Sequence, residues 1–359
     1  MSYVNDLIKA RNLPSLTNGA KTPEDFAKRQ EEIGRMLLEK QYGIIPEKPD
    51  HMHVEVLSTD DRFCAGNAPL RKLKFTFELG EHTFSFPVSC AIPKAEGKVP
   101  AFVHINFTSD FPDKYMPTEE ICDNGFAVFS FNNKDVSSDN GDFKNGCAKY
   151  LVKSRQKKTA PGKIAIWAWA AMRVMDYIET LDEIDLENVA VVGHSRLGKT
   201  ALLTGAFDKR FKYVISNNSG CCGAAIERNK IGETYQIITD VFPYWFCPAF
   251  VKAATFKEPM PFDQHFLLAM SVPRHVIIGS AVEDTWADPT SEFLSLAAIN
   301  EAYEIFGMKG LIHNDTVPPP DTVLAEGSSA YQIRSGLHYL SRKDWNAYIK
   351  IIRKFMNDN

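Results

Sequence analysis

Apolar positions along the chain change period more than once, and each change predicts an element. Between residues 22 and 43, Phe26, Ile33, Met36 and Leu37 recur at helical spacing. Thr22 is placed to cap, Pro23 suits the first helical position, and Asp25 completes a capping-box pattern, so a helix is predicted that ends near Gly43. From about 52 to 92 the period becomes two, and the segments "KLKFTFEL" and "HTFSFPVSCAI" flank "GE", which predicts a hairpin.

Further along, strands and helices alternate. "VPAFVHINF" reads as a buried strand, followed by a polar loop, the strand "GFAVFSFN" and a loop over 132–147 rich in Asp, Asn, Ser and Gly. "GKIAIWAWAAMRVMDYIETL" sets Ile164, Trp167, Ala168, Ala171, Met175 and Ile178 on one stripe, the mark of a helix with a buried face. "NVAVVGHS" is a strand and "RLGKTALLTGAF" a helix. "YVISNNSG", "HVIIGSA" and "YQIRSG" are further strands, the last preceding a C-terminal helix "SRKDWNAYIKIIRKFM". Strand–helix alternation predicts an α/β fold: a mainly parallel central sheet with helices on both faces, a three-layer sandwich. One domain over 1–359 is expected, with residues 1–95 as a helical and hairpin extension packed on it.

Composition narrows the function. Hydrophobic residues make up 44% and charged residues 24% of the 359, a soluble globular balance, and a formal net charge of -4 gives no basic face for nucleic acid. The basic run from Lys153 to Lys158 reads as a solvated loop. No run of about 18 apolar residues exists to span a membrane. The start "MSYVNDLIKARNLP" lacks an apolar signal core. Seven cysteines, an odd number without repeated CxxC spacing, fit free thiols in a reducing compartment better than disulfides or a zinc site, so a cytoplasmic location is expected.

The segment "NVAVVGHSRLGKTALLTGAFD" carries the chemistry. A strand, a tight Gly-His-Ser-Arg turn and a helix are the setting in which α/β-hydrolases expose a nucleophilic serine. Gly193 stands two before Ser195, but the following glycine, Gly198, comes one position late for G-x-S-x-G. The same residues satisfy GxxxxGKT, a phosphate-loop pattern, although His194, Arg196 and Leu197 are bulky for a backbone cradle. A histidine far along the sheet separates the two readings, because a hydrolase needs one and an NTPase does not. His338, in the loop between "YQIRS" and the final helix, occupies that place; His275 starts a strand and reads as structural. A serine needs a base, and the base an acid to orient it. Glu283, Asp284 and Asp288 in "GSAVEDTWADP" are the candidates; Asp284 is closest to the strand end, while Asp288 before Pro289 looks like a helix cap.

Together "GHSRLGKTALLTGAFDKR", "IAIWAWAAMRVMDYIE", "IGETYQIITDVFPYWF", "EDTWADP" and "RSGLHYLSRKDW" resemble the glucuronoyl esterase family, carbohydrate esterase family 15, and bacterial relatives described as acetyl xylan esterase-like. The resemblance runs from about residue 100 to the C-terminus and includes the late glycine of the Ser-Arg-x-Gly-Lys turn, which displaces the phosphate-loop reading. It implies an α/β-hydrolase fold and a serine esterase acting on a small carbohydrate ester, with no metal or organic cofactor, no nucleic-acid or membrane partner, and no particular oligomeric state. Within the resemblance Ser195 is the nucleophile, His338 the base and Arg196 an oxyanion donor, and Lys199, Glu233 and Trp286 match sugar-contacting positions. Trp286 reads equally well as a core aromatic. Many relatives carry their acid in a Glu-Ser-Gly sequence where this chain has Asn218, which moves the acid to Asp284, with Glu227 as a weaker fallback. Uronate and acetyl esters both fit, the sugar-contacting residues favouring the uronate. A catalytically silent carbohydrate-binding relative is the alternative that Asn218 raises.

Overall fold

The computed structural model describes residues 2–358. These form one sheet of ten strands: β1 (Met52–Asp60), β2 (Leu70–Leu79), β3 (His82–Ala91), β4 (Val99–Asn106), β5 (Ala127–Asn132), β6 (Ile184–His194), β7 (Tyr213–Asn217), β8 (His275–Ala281), β9 (Thr322–Leu324) and β10 (Ala330–Arg334). Their order is β1-β2-β3-β5-β4-β6-β7-β8-β10-β9. The run from β5 to β10 is parallel throughout. At one flank β3 pairs antiparallel with β5, so the expected hairpin continues the central sheet. At the other flank β9, too short to leave a periodic signal, pairs antiparallel with β10.

The principal helices are α1 (Tyr3–Ala10), α2 (Pro23–Leu37), α3 (Lys163–Ile178), α4 (Arg196–Phe207), α5 (Tyr235–Val241), α6 (Pro289–Ala298) and α7 (Arg342–Asn357). The Thr22 hydroxyl accepts from the Asp25 amide at the start of α2, as its sequence predicts, and one wider helical turn carries the chain on to Gly43. At α7, Ser341 and Asp344 close a full capping box. No helix among the described residues is long and apolar enough to cross a membrane.

Alternation along the strands divides the interior into two cores. Ala101, Val103 and Ile105 of β4 face a core filled by α2, α3 and α4, whereas Phe102 faces Trp345, Tyr348 and Phe355 of α7. A sheet covered on both faces exposes functional groups only at its edges and strand ends. Register decides which ends meet: His194 pairs with Asn217, Asn217 with Gly279, and Gly279 with Gln332. The loops that leave this row carry Ser195, Asn218, Asp284 and His338.

Candidate active site

Ser195 joins β6 to α4 with φ +59° and ψ −128°, a conformation that a residue with a Cβ adopts only when its surroundings impose it. Here its N–H donates to the Asn217 carbonyl at 2.9 Å, while its own carbonyl accepts from the Gly198 and Lys199 amides. Two glycines make room for the turn. A Cβ at Gly193 would collide with the Leu197 carbonyl oxygen, and one at Gly198 would lie 2.9 Å from the Ser216 hydroxyl and 3.1 Å from the Ser219 Cβ. The close approach that requires a glycine therefore falls three residues after the serine, which accounts for the departure from G-x-S-x-G.

Around Ser195 a cleft of about 370 Å³ is lined by Arg196, Lys199, Asn218, Glu233, Phe242, Trp245, Asp284, Trp286 and His338, among others. All seven predicted site residues thus face one space. His338 Nδ1 lies 2.6 Å from Asp284 Oδ2, and the same oxygen accepts from Asn218 Nδ2 at 2.8 Å. Burial pushes the Asp284 carboxyl upward, but the hydrogen bond and charge of His338, together with the Asn218 amide, outweigh it and hold the group below its usual range. The other two acids of the segment do different work. Glu283 accepts from the Gly336 amide at 2.9 Å, and Asp288 caps α6 through the Ser291 amide and hydroxyl. Glu227, the fallback, points elsewhere: its carboxylate accepts from the Tyr235 amide and the Cys221 thiol.

His338 rests against His194, their ring centroids 4.5 Å apart. Asn217 donates its amide to the Tyr348 hydroxyl, so its oxygen must accept from His194 Nδ1–H at 2.7 Å. Burial, then the neighbouring His338, pull the His194 pKa down to about 3, so this ring is neutral.

Arg196 ion-pairs through Nε with Asp139 at 2.8 Å, and its guanidinium lies 4.7 Å from the Phe107 ring centroid and 5.5 Å from that of Trp245. Trp245 donates its indole N–H to the other Asp139 oxygen at 2.7 Å. The loop bearing Asp139 is pinned from beneath by Lys163, which donates to the Ser137 hydroxyl and the Asp142 carbonyl, and by the Trp167 indole on the Ser137 carbonyl. Lys199, only 4% exposed, donates to the Ser219 carbonyl at 2.5 Å rather than to a carboxylate. Trp286 is 54% exposed, which removes the core reading and leaves a ring open to the cleft. Its carbonyl accepts from the Glu233 amide, tying those two residues together.

Sequence reasoning missed Asp139 and treated Asn218 only as a lost acid. Asp139 lies in the aperiodic loop 132–147, where nothing singles out one polar residue. Trp245 was within reach, since it is the last residue but one of the segment "IGETYQIITDVFPYWF" that carries the family resemblance.

A family model described as "Glucuronyl esterase, fungi" matches residues 76–307. A carbohydrate esterase of an unknown prokaryotic organism is 32% identical over 365 aligned positions, covering 90% of this chain and 83% of that protein. A 4-O-methyl-glucuronoyl methylesterase of Neurospora crassa is 29% identical over 300 positions, covering 80% of this chain and 70% of that protein. Among solved structures, the glucuronoyl esterase from Solibacter usitatus superposes with a TM-score of 0.88 at 29% identity, over 95% of this chain and 97% of that one.

Proposed function

The chain belongs to the glucuronyl esterase family of carboxylic ester hydrolases, and from that premise we propose that it cleaves a uronate ester of a small carbohydrate through Ser195, His338 and Asp284. The observation that carries this reading is the Asp284–His338 contact at 2.6 Å on the same cleft as the strained Ser195.

In the proposed reaction the Ser195 hydroxyl attacks the ester carbonyl while His338 Nε2 takes its proton. Asp284, on Nδ1, fixes the tautomer and stabilises the imidazolium that forms. Arg196, with backbone N–H groups of the turn, holds the tetrahedral oxyanion, a contribution of about 3 kcal/mol for a well-placed donor. The alcohol leaves with the proton from His338, water attacks the acyl-enzyme with His338 again as base, and the carboxylic acid departs. Lys199, Glu233 and Trp286 support a uronate over an acetyl group. A buried ammonium bonded to a carbonyl has donors left for sugar oxygens, a carboxylate accepts from hydroxyls, and an exposed indole offers a face to the ring. The silent carbohydrate-binding alternative rested on Asn218, and an amide that donates to Asp284 lends it no support.

The test is the ratio of kcat/KM for a benzyl glucuronate ester to that for p-nitrophenyl acetate, with Ser195→Ala as control. The expected ratio exceeds ~10, and the alanine variant loses at least ~10³-fold on both esters. A preference for the acetate moves the reading to a sugar deacetylase on the same residues. Unchanged turnover in Ser195→Ala ends the serine mechanism.

A further inference from the structure

Arg334 ends β10 four residues before His338, and its side chain is buried. Its Nε lies 3.0 and 2.8 Å from the two oxygens of Asp344. The remaining nitrogens turn into the loop that follows: Nη1 donates to the Ser335 carbonyl at 3.0 Å, and Nη2 to the carbonyls of Leu337, at 3.2 Å, and Tyr339. His338 is the residue between those last two acceptors. Its own loop has no helix or strand to hold it, yet the peptide groups on either side converge on one cation.

That cation is itself anchored. Asp344 occupies the third position of α7 and accepts from both the amide and the hydroxyl of Ser341, so the guanidinium is referenced to the start of a buried helix. From the opposite side the Glu283 amide donates to the Gly336 carbonyl, while the Glu283 carboxylate accepts from the Gly336 amide. Glu283 adjoins Asp284. The strand-end loops that carry Asp284 and His338 are thus fastened to each other and, through Arg334, to β10 and α7.

We propose that Arg334 is a positioning residue for His338, holding the loop so that the imidazole stays aligned between Asp284 and Ser195. The proposal rests on His338 being the general base. Only a guanidinium meets the geometry: four acceptor groups in different directions are served from one planar fork, whereas a lysine ammonium at the end of a flexible stem offers three donors from a single point. Because His338 acts in proton transfer and not in holding the sugar, loosening it lowers kcat and leaves KM in place. A displacement of about 1 Å is enough to cost ~10²-fold.

The experiment is a double-mutant cycle on the full chain with Arg334→Lys, His338→Ala and the two combined, assayed on p-nitrophenyl acetate and on a benzyl glucuronate ester. Arg334→Lys is expected to lower kcat by roughly 10- to 100-fold with KM within about twofold. Added to His338→Ala, it is expected to lower the residual rate no further, because a residue that acts through His338 has nothing left to position. Costs that multiply in the double variant, a wild-type kcat in Arg334→Lys, or a KM that rises as kcat falls each overturn the proposal. Should His338→Ala alone keep wild-type turnover, the general-base reading fails in its own arm of the cycle and takes the proposal with it. If Arg334→Lys does not fold, Asp344→Asn loosens the same guanidinium from the side remote from His338. It is then expected to show the same fall in kcat and the same non-additivity, and additive losses there overturn the proposal equally.

Discussion

Replacing Asp284 with asparagine tests the reaction at its most exposed point. Both hydrogen bonds that matter, from His338 Nδ1 and from Asn218 Nδ2, reach the same oxygen, Oδ2. An asparagine can keep both by placing its carbonyl oxygen there, since the reverse orientation would set its NH₂ against the Asn218 NH₂. The imidazole therefore keeps its tautomer, and the loss is one of charge. Two unit charges about 4 Å apart interact by roughly 4 kcal/mol at an effective dielectric near 20, and that is the stabilisation withdrawn from the imidazolium of the transition state. At about 1.4 kcal/mol per decade this predicts a fall in kcat of ~10³-fold. An inverted tautomer would cost ~10⁴-fold. The assay is steady-state turnover of a benzyl glucuronate ester from pH 5 to pH 9, with KM followed separately because Asp284 lies behind the imidazole. Asp284→Asn is expected to lower kcat by about 10³ and to leave KM nearly unchanged. A loss below about tenfold would refute the assignment of Asp284, and with it the argument that Asn218 is a supporting donor.

Two further outcomes follow from residues whose roles are separable from the triad. Trp286→Ala removes an exposed ring, so melting should move by less than about 0.5 kcal/mol in stability; an indole face stacked on the sugar is worth ~1 kcal/mol, so KM for the glucuronate ester should rise about fivefold while p-nitrophenyl acetate kinetics stay put. Equal effects on both esters would remove Trp286 from sugar recognition. Glu292, fully buried where it accepts from the Gly220 amide and the Ser280 hydroxyl, is raised by that burial from 4.5 to about 7. A raised carboxyl favours the folded state while neutral: its contribution is complete below the unfolded value and is lost as the pH climbs through about 7, a change on the order of 3 kcal/mol. Thermal melts should therefore show stability falling from pH 5 to pH 8, and Glu292→Gln, whose oxygen keeps the Gly220 bond while its NH₂ donates to the Ser280 oxygen in place of accepting from it, should flatten the slope; an unchanged slope would rule this out.

The convergence of these residues on one cleft is largely legible in the sequence, for physical reasons. Parallel strands deliver their ends to one edge, so a serine after one strand and a histidine after a later one are brought near each other by topology alone. Gly198 was puzzling only against a pattern; in three dimensions it is where α4 passes Ser216 and Ser219. What resisted reading was choice among like residues. Glu283, Asp284 and Asp288 share one loop, and what separates them is a turn in which the Asp284 amide donates to the Ala281 carbonyl and the Ala287 amide to the Asp284 carbonyl. Trp286 could be core or surface until its exposure was known. Asp139 reaches Arg196 from a loop without hydropathic period, and Arg334 reaches past its own strand end to carbonyls that carry no side-chain identity at all. Contacts to backbone leave no complementary residue type to look for.

The cleft brings several basic groups close to the one histidine proposed to become charged, and the site handles each differently. A second cation beside His338 would oppose imidazolium formation, and His194, 4.5 Å away, is kept neutral by burial and by His338 itself, while the Asn217 amide oxygen holds its proton on Nδ1. Asp139 lies against Arg196 and offsets its charge. In the proposed reaction a guanidinium ion-paired with Asp139 and flanked by Phe107 and Trp245 would present its donors to the oxyanion with little reorganisation. The same ion pair has a second consequence at the end of the cycle. An ester is neutral, whereas the product is a carboxylate, and an unpaired arginine beside Ser195 would hold that product where the next substrate must bind. In the proposed reaction, partial neutralisation by Asp139 would weaken the long-range attraction for the product anion and keep the short-range, directional hydrogen bonds to the oxyanion. Lys199 is bonded to the Ser219 carbonyl and, among the described residues, forms no ion pair with a carboxylate, its charge acting on Glu292 only at longer range. In the proposed reaction it serves the sugar, so the charge that remains in the cleft acts on recognition and the charge that is offset acts on catalysis.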